Sequence, residues 1–421
     1  MIDIDTKDLK IGMYVSHLDR PWLETSFLFQ GFLIENDKQI EQVRRVSKTV
    51  KIDEEKSLQS LSFEPFKPST AKSKVAVEQQ PSNPKAGQSN KQRFEEEMAK
   101  ACEVYDETSV SLHKVLNNFR LNNYITLPEI KSCVQGVMKS VMRNPNTLLL
   151  LSHMRSKRPD TVTHSINICI FSTLFGRYLQ LTEEQLLQLS IAALMHDVGE
   201  AKVPKPVLDK FNVGLTPEEK MLLEQHTQQG AEMLRKIPEI PTEVAEVAYS
   251  HHERVDGTGY PRGLKGAEIS FMSKIIAIVD AYEKETNAAN IKSQLSCSDA
   301  LKAIYAMRET SFDSELVESF IKCLGIYPVG TVVQLNNGST GIVIGMKPDQ
   351  HLLPTVMVIR DHTGEIKQPP QVINLDRFRD HEGKPLLMIN KVIQPNEVDI
   401  DLGEYIVREL GASLSPHPKF A

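Results

Sequence analysis

Histidines and aspartates recur at near-even intervals through the middle of this 421-residue chain. They are His164, the pair His196–Asp197, His226, the pair His251–His252, and Asp280, with gaps of 32, 30, 25 and 28 residues between successive sites. Each gap suits one helix plus its return connection. Helical periodicity dominates from about Phe94 to Leu324, so several helices of one bundle can each carry a ligand set inward to a shared centre.

Imidazole nitrogens with carboxylate oxygens and no thiolate suit Fe, Mn, Ni or Zn. Asp197, next to His196, is well placed to bridge two ions. Two cations held close together stabilise the attacking and leaving oxygens of a phosphoryl displacement and make hydroxide at neutral pH. That is chemistry for cleaving a phosphate ester. A single histidine such as His164 or His226 would ordinarily be a surface or core residue, and His113 and His153 are read that way. The five elements together in one helical block carry the argument.

The rest of the chain frames this block. Residues 1–64 hold short runs of β formers ("MYVSHL", "FLFQGFLI", "VSKTVKI") with a helix near 37–46, a small β-rich domain. Residues 65–92 are rich in Pro, Ser, Lys and Gln and read as a flexible linker. Residues 93–325 form the helical domain. Within it Thr182 with Gln185, and Thr216 with Pro217 and Glu219, mark two capped helix starts. Residues 326–421 alternate around an Asn-Asn-Gly turn and predict a β appendage, a meander or partial barrel. The fold class is therefore mainly α with a small β module at each end. A net charge of −6 gives no reason to expect nucleic acid or an anionic membrane as partner. Apolar runs such as "TLLLL" are too short for a membrane span. The N-terminus is unlike a secretory signal, and the five scattered cysteines read as reduced thiols, which together predict a cytoplasmic protein.

The strings "HDVGE", "LDK", "HTQQG", "HHERVDGTGYPRGLKGAEI" and "IVDAY", spread over about 150–330, resemble an HD-GYP domain, a branch of the HD metal-dependent phosphohydrolases. Residues 1–60 resemble, more weakly, the small domain that often precedes it in bacteria. The resemblance implies an HD-type helical bundle and hydrolysis of cyclic di-GMP to the linear dinucleotide and onward to GMP. It implies two or three divalent ions, Fe or Mn ahead of Ni or Zn. The metal ligands it implies are His164, His196, Asp197, His226, His251, His252 and Asp280. Asp160, one helical turn before His164, would join a third ion or else be a plain helix-start acid. His196 and Asp197 would act at the reacting centre. In the loop, Gly257 and Gly259 let the backbone turn sharply, and Pro261 stiffens it. Tyr260 either meets a guanine or packs, and Arg262 either touches phosphate or faces solvent.

Two positions depart from the family pattern. Glu200 stands where the family has a substrate-contacting lysine. It weakens phosphate binding, adds a carboxylate near the metals, or faces solvent. Lys210, in "LDK", is the favoured compensating cation. After Asp280 the text "AYEKETNAANIK" lacks the family's arginine and tyrosine. Three functions stay open: a cyclic di-GMP phosphodiesterase, a catalytically weakened cyclic di-GMP sensor or signalling scaffold, or a hydrolase of another nucleotide phosphate ester. A homodimer or a signalling-protein partner is compatible with each.

Overall fold

A computed structural model describes residues 2–11, 13–19, 32–34, 37–53, 90–121, 125–155, 161–208, 210, 214–287, 294–346, 352–381, 383–394 and 397. The chain divides into two units, residues 1–83 and 84–421.

The first unit is an antiparallel sheet of β1 (Ile2–Asp5), β2 (Tyr14–Leu18), β3 (Phe32–Leu33) and β4 (Thr49–Asp53), in the order β1-β4-β2-β3. Helix α1 (Asp37–Val46) precedes β4. Ile40 and Val43, three apart on α1, share a core with Val50 and Ile52, two apart on β4, and with Val15. The two periods, helical and extended, thus point one apolar face each at the same core. Most of the run "FLFQGFLI" and most of the predicted linker lie outside the described residues.

The second unit is built on helices. In order they are α2 (Asn90–Arg120), α3 (Leu127–Arg143), α4 (Pro145–Arg155), α5 (Thr161–Tyr178), α6 (Glu183–Met195), α7 (Pro217–Arg235), α8 (Thr242–Ser250), α9 (Phe271–Thr286), α10 (Cys297–Ala306) and α11 (Ser314–Leu324). Both predicted capping boxes form. Thr182 accepts from the Gln185 amide while the Gln185 side chain accepts from the Thr182 amide, and Thr216 and Glu219 do the same. Helix α5 is buried on nearly every face from Val162 to Gly176. A helix apolar all round belongs at the centre, and α5 packs against α2, α3, α4, α6 and α9. Edge-to-face contacts of Phe171 with Tyr282, Tyr282 with Phe320 and Phe175 with Phe320, centroids 5.1–5.4 Å apart, tie α5, α9 and α11 together.

Gly325, at φ +77°, ends α11, and the β appendage follows. Strands β5 (Val332–Leu335), β6 (Thr340–Gly345), β7 (Thr355–Arg360) and β8 (Ile366–Asn374) form a meander. Strand β9 (Ile389–Ile393) returns to pair with β5, giving an antiparallel sheet ordered β8-β7-β6-β5-β9. The Asn336-Asn337-Gly338 turn uses Gly338 at φ +89°.

Candidate metal centre

The candidate ligands come from five converging helices, some at helix ends and some, His226 and Asp280, from helix interiors. His164 lies in the first turn of α5. Helix α6 stops at Met195, and His196 and Asp197 lead into a 3-10 turn, Val198–Lys202. That turn lies directly on α7, where His226 sits. The approach needs Gly199: a Cβ there would fall 1.9 Å from the His226 carbonyl oxygen. His251 caps the C-terminus of α8, His252 follows it, and Asp280 lies within α9.

These side chains form two groups. Asp197, His226, His251 and His252 make one, and His164, His196 and Asp280 make the other, with the ligand atoms of each group within 4.8 Å of one another. Asp197 faces both. Its Oδ1 is 3.3 Å from His226 Nε2 and 3.1 Å from His251 Nε2, while its Oδ2 is 3.2 Å from His196 Nε2 and 3.5 Å from His164 Nε2. Asp280 Oδ1 is 3.2 Å from His164 Nε2.

The donor chemistry fits divalent cations. The Nδ1–H groups of His196, His226 and His251 donate to the carbonyls of Ala193, Leu223 and Ala248. His164 donates its Nδ1–H to Glu283 Oε2 at 2.7 Å. These bonds fix the tautomers and leave every Nε2 lone pair facing inward. His164 and His196 Nε2 are then 3.3 Å apart, and those of His226 and His251 3.4 Å. Asp197 Oδ1 and Asp280 Oδ1 are buried without a hydrogen-bond partner. Lone pairs and carboxylates crowded together, with His196, Asp197, His226, His251 and Asp280 at 0–4% exposure, need positive charge between them.

The electrostatics express the same need. Burial opposes charge on His164, yet Glu283, Asp197 and Asp280 outweigh it and hold the imidazole well above its ordinary value. Burial would raise Asp197, but His196, His164 and His226 hold it well below the usual carboxylate range. Burial would raise Asp280 too, but Lys284 and His164 keep it well below. Burial pushes His251 down to about 4, and burial with the neighbouring His251 holds His252 well below its usual value.

The loop residues are placed around this cluster. The Tyr260 ring lies against His252, centroids 4.8 Å apart and planes tilted by 33°. Gly259 fits where a Cβ would sit 2.3 Å from the Arg254 amide nitrogen. Pro261 is exposed. Arg262 is engaged within the protein, by Glu246, by the Ser250 hydroxyl at 2.6 Å and over the Tyr249 ring. Glu200 turns inward: Thr161 Oγ1 donates to its Oε2 at 3.0 Å, and burial and the Asp197 charge raise its pKa. Lys210 is not brought to the cluster's hydrogen bonds; it is exposed and pairs with Glu219 at 2.7 Å. Asp160 lies outside the described residues.

Several contributors escaped the sequence reading. Glu283 and Lys284 come from the very segment that departs from the family pattern. Lys284 Nζ binds Asp280 Oδ2 at 2.8 Å, which leaves Asp280 Oδ1 to face the histidines. Their spacing from Asp280, three and four residues, is the helical signal that could have found them. Glu253, 1% exposed, accepts from the amides of Arg262 and Leu264 at 2.8 and 3.0 Å and so shapes the loop. Among the described residues no helix is long and apolar enough to cross a membrane.

The chain matches the HD domain over residues 150–316, a domain of unknown function over 1–130, and a KOW domain associated with HD domain over 332–400. It is 30% identical over 376 residues to a cyclic di-GMP phosphodiesterase of Pseudomonas aeruginosa, spanning 89% of each chain. It is 31% identical over 173 residues to a 3'3'-cGAMP-specific phosphodiesterase of Vibrio cholerae, spanning 41% of this chain and 37% of that one. A cyclic di-GMP phosphodiesterase of Thermotoga maritima is 32% identical over 176 residues, 42% of this chain and 47% of the relative.

Proposed function

The chain belongs to the HD-GYP branch of the HD domain family, and on that footing we propose that it is a metal-dependent phosphodiesterase that opens cyclic di-GMP to the linear dinucleotide or onward to GMP. The observation that carries this reading is Asp197, whose two carboxylate oxygens face two separate ligand groups. Cations held there supply the Lewis acidity that polarises a phosphodiester and acidifies an attacking water. Fe or Mn suits the mixed imidazole and carboxylate set, with Ni and Zn as alternatives.

His164, His196 and Asp280 would hold one ion and His226, His251 and His252 another, with Asp197 within reach of both groups. The carbonyls behind His196, His226 and His251, and the Glu283 carboxylate behind His164, keep Nε2 aimed inward. Tyr260, seated on His252, and the backbone at Gly259 and Pro261 form the wall against which a nucleotide base rests. Arg262 and Glu253 hold that wall in place from behind. Glu200 sets a carboxylate beside Asp197 where a phosphate must approach, and it lowers affinity for a dianionic substrate.

A substrate panel tests the proposal. The full chain, stripped of metal and reloaded with Mn or Fe, should convert cyclic di-GMP to the linear dinucleotide or GMP, read by chromatography. Preferential turnover of 3'3'-cGAMP would move the substrate assignment. A loaded protein that leaves every cyclic dinucleotide intact would sink the enzyme reading in favour of a sensor.

A further inference from the structure

The histidines of the centre are not backed alike. His196, His226 and His251 rest their Nδ1–H on neutral carbonyls, whereas His164 rests its own on the Glu283 carboxylate. Glu283 is 3% exposed and firmly held. Its Oε1 accepts from Asn167 Nδ2 at 2.9 Å and from Asn287 Nδ2 at 3.0 Å. The Asn167 carbonyl oxygen in turn accepts from the Tyr105 hydroxyl at 3.2 Å. Tyr105 is 1% exposed and lies on α2, outside the residues that match the HD domain. A buried run of hydrogen bonds therefore starts on α2, passes through Asn167 and Glu283, and ends at the inward-facing Nε2 of His164.

An anionic acceptor raises the basicity of an imidazole more than a carbonyl does, and it locks the ring's orientation. Among the described residues, the group containing His164 is the one with a histidine backed by a carboxylate. The burial argues for a positioning task as well. A carboxylate in the core is costly unless all its oxygens are bonded, and here three donors are arranged around one.

We propose that Glu283 is a positioning residue that sets the metal affinity of the His164–His196–Asp280 group, and that Tyr105 extends this control to α2. The proposal rests on the two-ion reading of the centre. It makes the two ions unequal in what holds them, and it makes α2 part of the metal centre.

The test is Mn titration of the full chain without substrate, followed by calorimetry and by the spin-resonance signature of a coupled pair. Wild type should bind two ions. Glu283→Ala should weaken one of them by about ten- to a hundredfold and leave the other unchanged. Glu283→Gln keeps a neutral acceptor oxygen but loses the negative charge, and should recover only part of that loss. Tyr105→Phe should weaken the same ion by about twofold or more, from one lost hydrogen bond. Equal affinities in wild type and all three variants would overturn the proposal, as would equal weakening of both ions. Glu283→Gln as damaging as Glu283→Ala would also overturn it, by making Glu283 a ligand. A wild type that binds no ion would instead overturn the two-ion reading itself, before any variant is compared.

Discussion

Replacing Gly199 by alanine tests how the centre is assembled. Gly199 follows Asp197 by two residues and presses the 3-10 turn onto α7. An added Cβ would lie 1.9 Å from the His226 carbonyl oxygen and 2.6 Å from the Gly230 nitrogen. Both neighbours are backbone, so no flexible side chain can swing aside. Restoring an ordinary contact of 3.4 Å requires the turn and α7 to part by about 1.5 Å. Asp197 Oδ1 and His226 Nε2, now 3.3 Å apart, lie on the two parting elements. Metal–ligand distances tolerate only about 0.2 Å, so the displacement should remove one ion. The strain itself should cost about 1–3 kcal/mol of stability. Metal stoichiometry and urea unfolding, measured on the same preparation, read both effects. Gly199→Ala protein with two tightly bound ions and unchanged stability would refute the reasoning.

Three further outcomes follow from the same geometry. Gly136, within α3, would place a Cβ at an ordinary 3.4 Å from Val104, so Gly136→Ala should raise unfolding stability by about 0.5–1 kcal/mol through helix propensity; a loss would contradict the packing. Glu200→Lys should lower KM for cyclic di-GMP, since a unit charge at about 5 Å is worth about 3 kcal/mol at an effective dielectric near 20; after counterions take their share, roughly tenfold is expected, and an unchanged or higher KM would defeat the charge argument. His251, pushed by burial to about 4, should stay neutral at pH 6 in chelator-treated protein. A depressed pKa means its contribution to stability is present above about 6.5 and is lost as pH falls toward 4, by at most about 1.4 kcal/mol per pH unit. Ring resonances that titrate near 6.5 would show that His251 is not buried as described.

The two His/Asp groups were legible as a cluster because metal coordination calls for particular residue types, and because successive helices bring them in at intervals the sequence displays. Gly259 was legible too, since a crowded turn leaves few other choices. Glu283 and Tyr105 were not. Glu283 meets His164 across 119 residues, and Tyr105 meets Asn167 across 62. Such pairings are set by how helices pack, and they leave no periodic trace. Lys210 shows the converse. A string of letters put a lysine near the motif, but its capped helix start holds it on Glu219 at the surface. The β appendage showed its hairpin turn in the sequence, whereas the return of β9 to β5, from Ile393 to Val332, depends on tertiary pairing.

Elemental analysis of metal per chain, on full-length protein reloaded with Mn, bears most directly on the account. Two ions in the wild type, falling to one or none in Asp197→Ala while the protein stays folded, is the predicted result. A wild type that carries no ion, or an Asp197→Ala protein that keeps both, would contradict it.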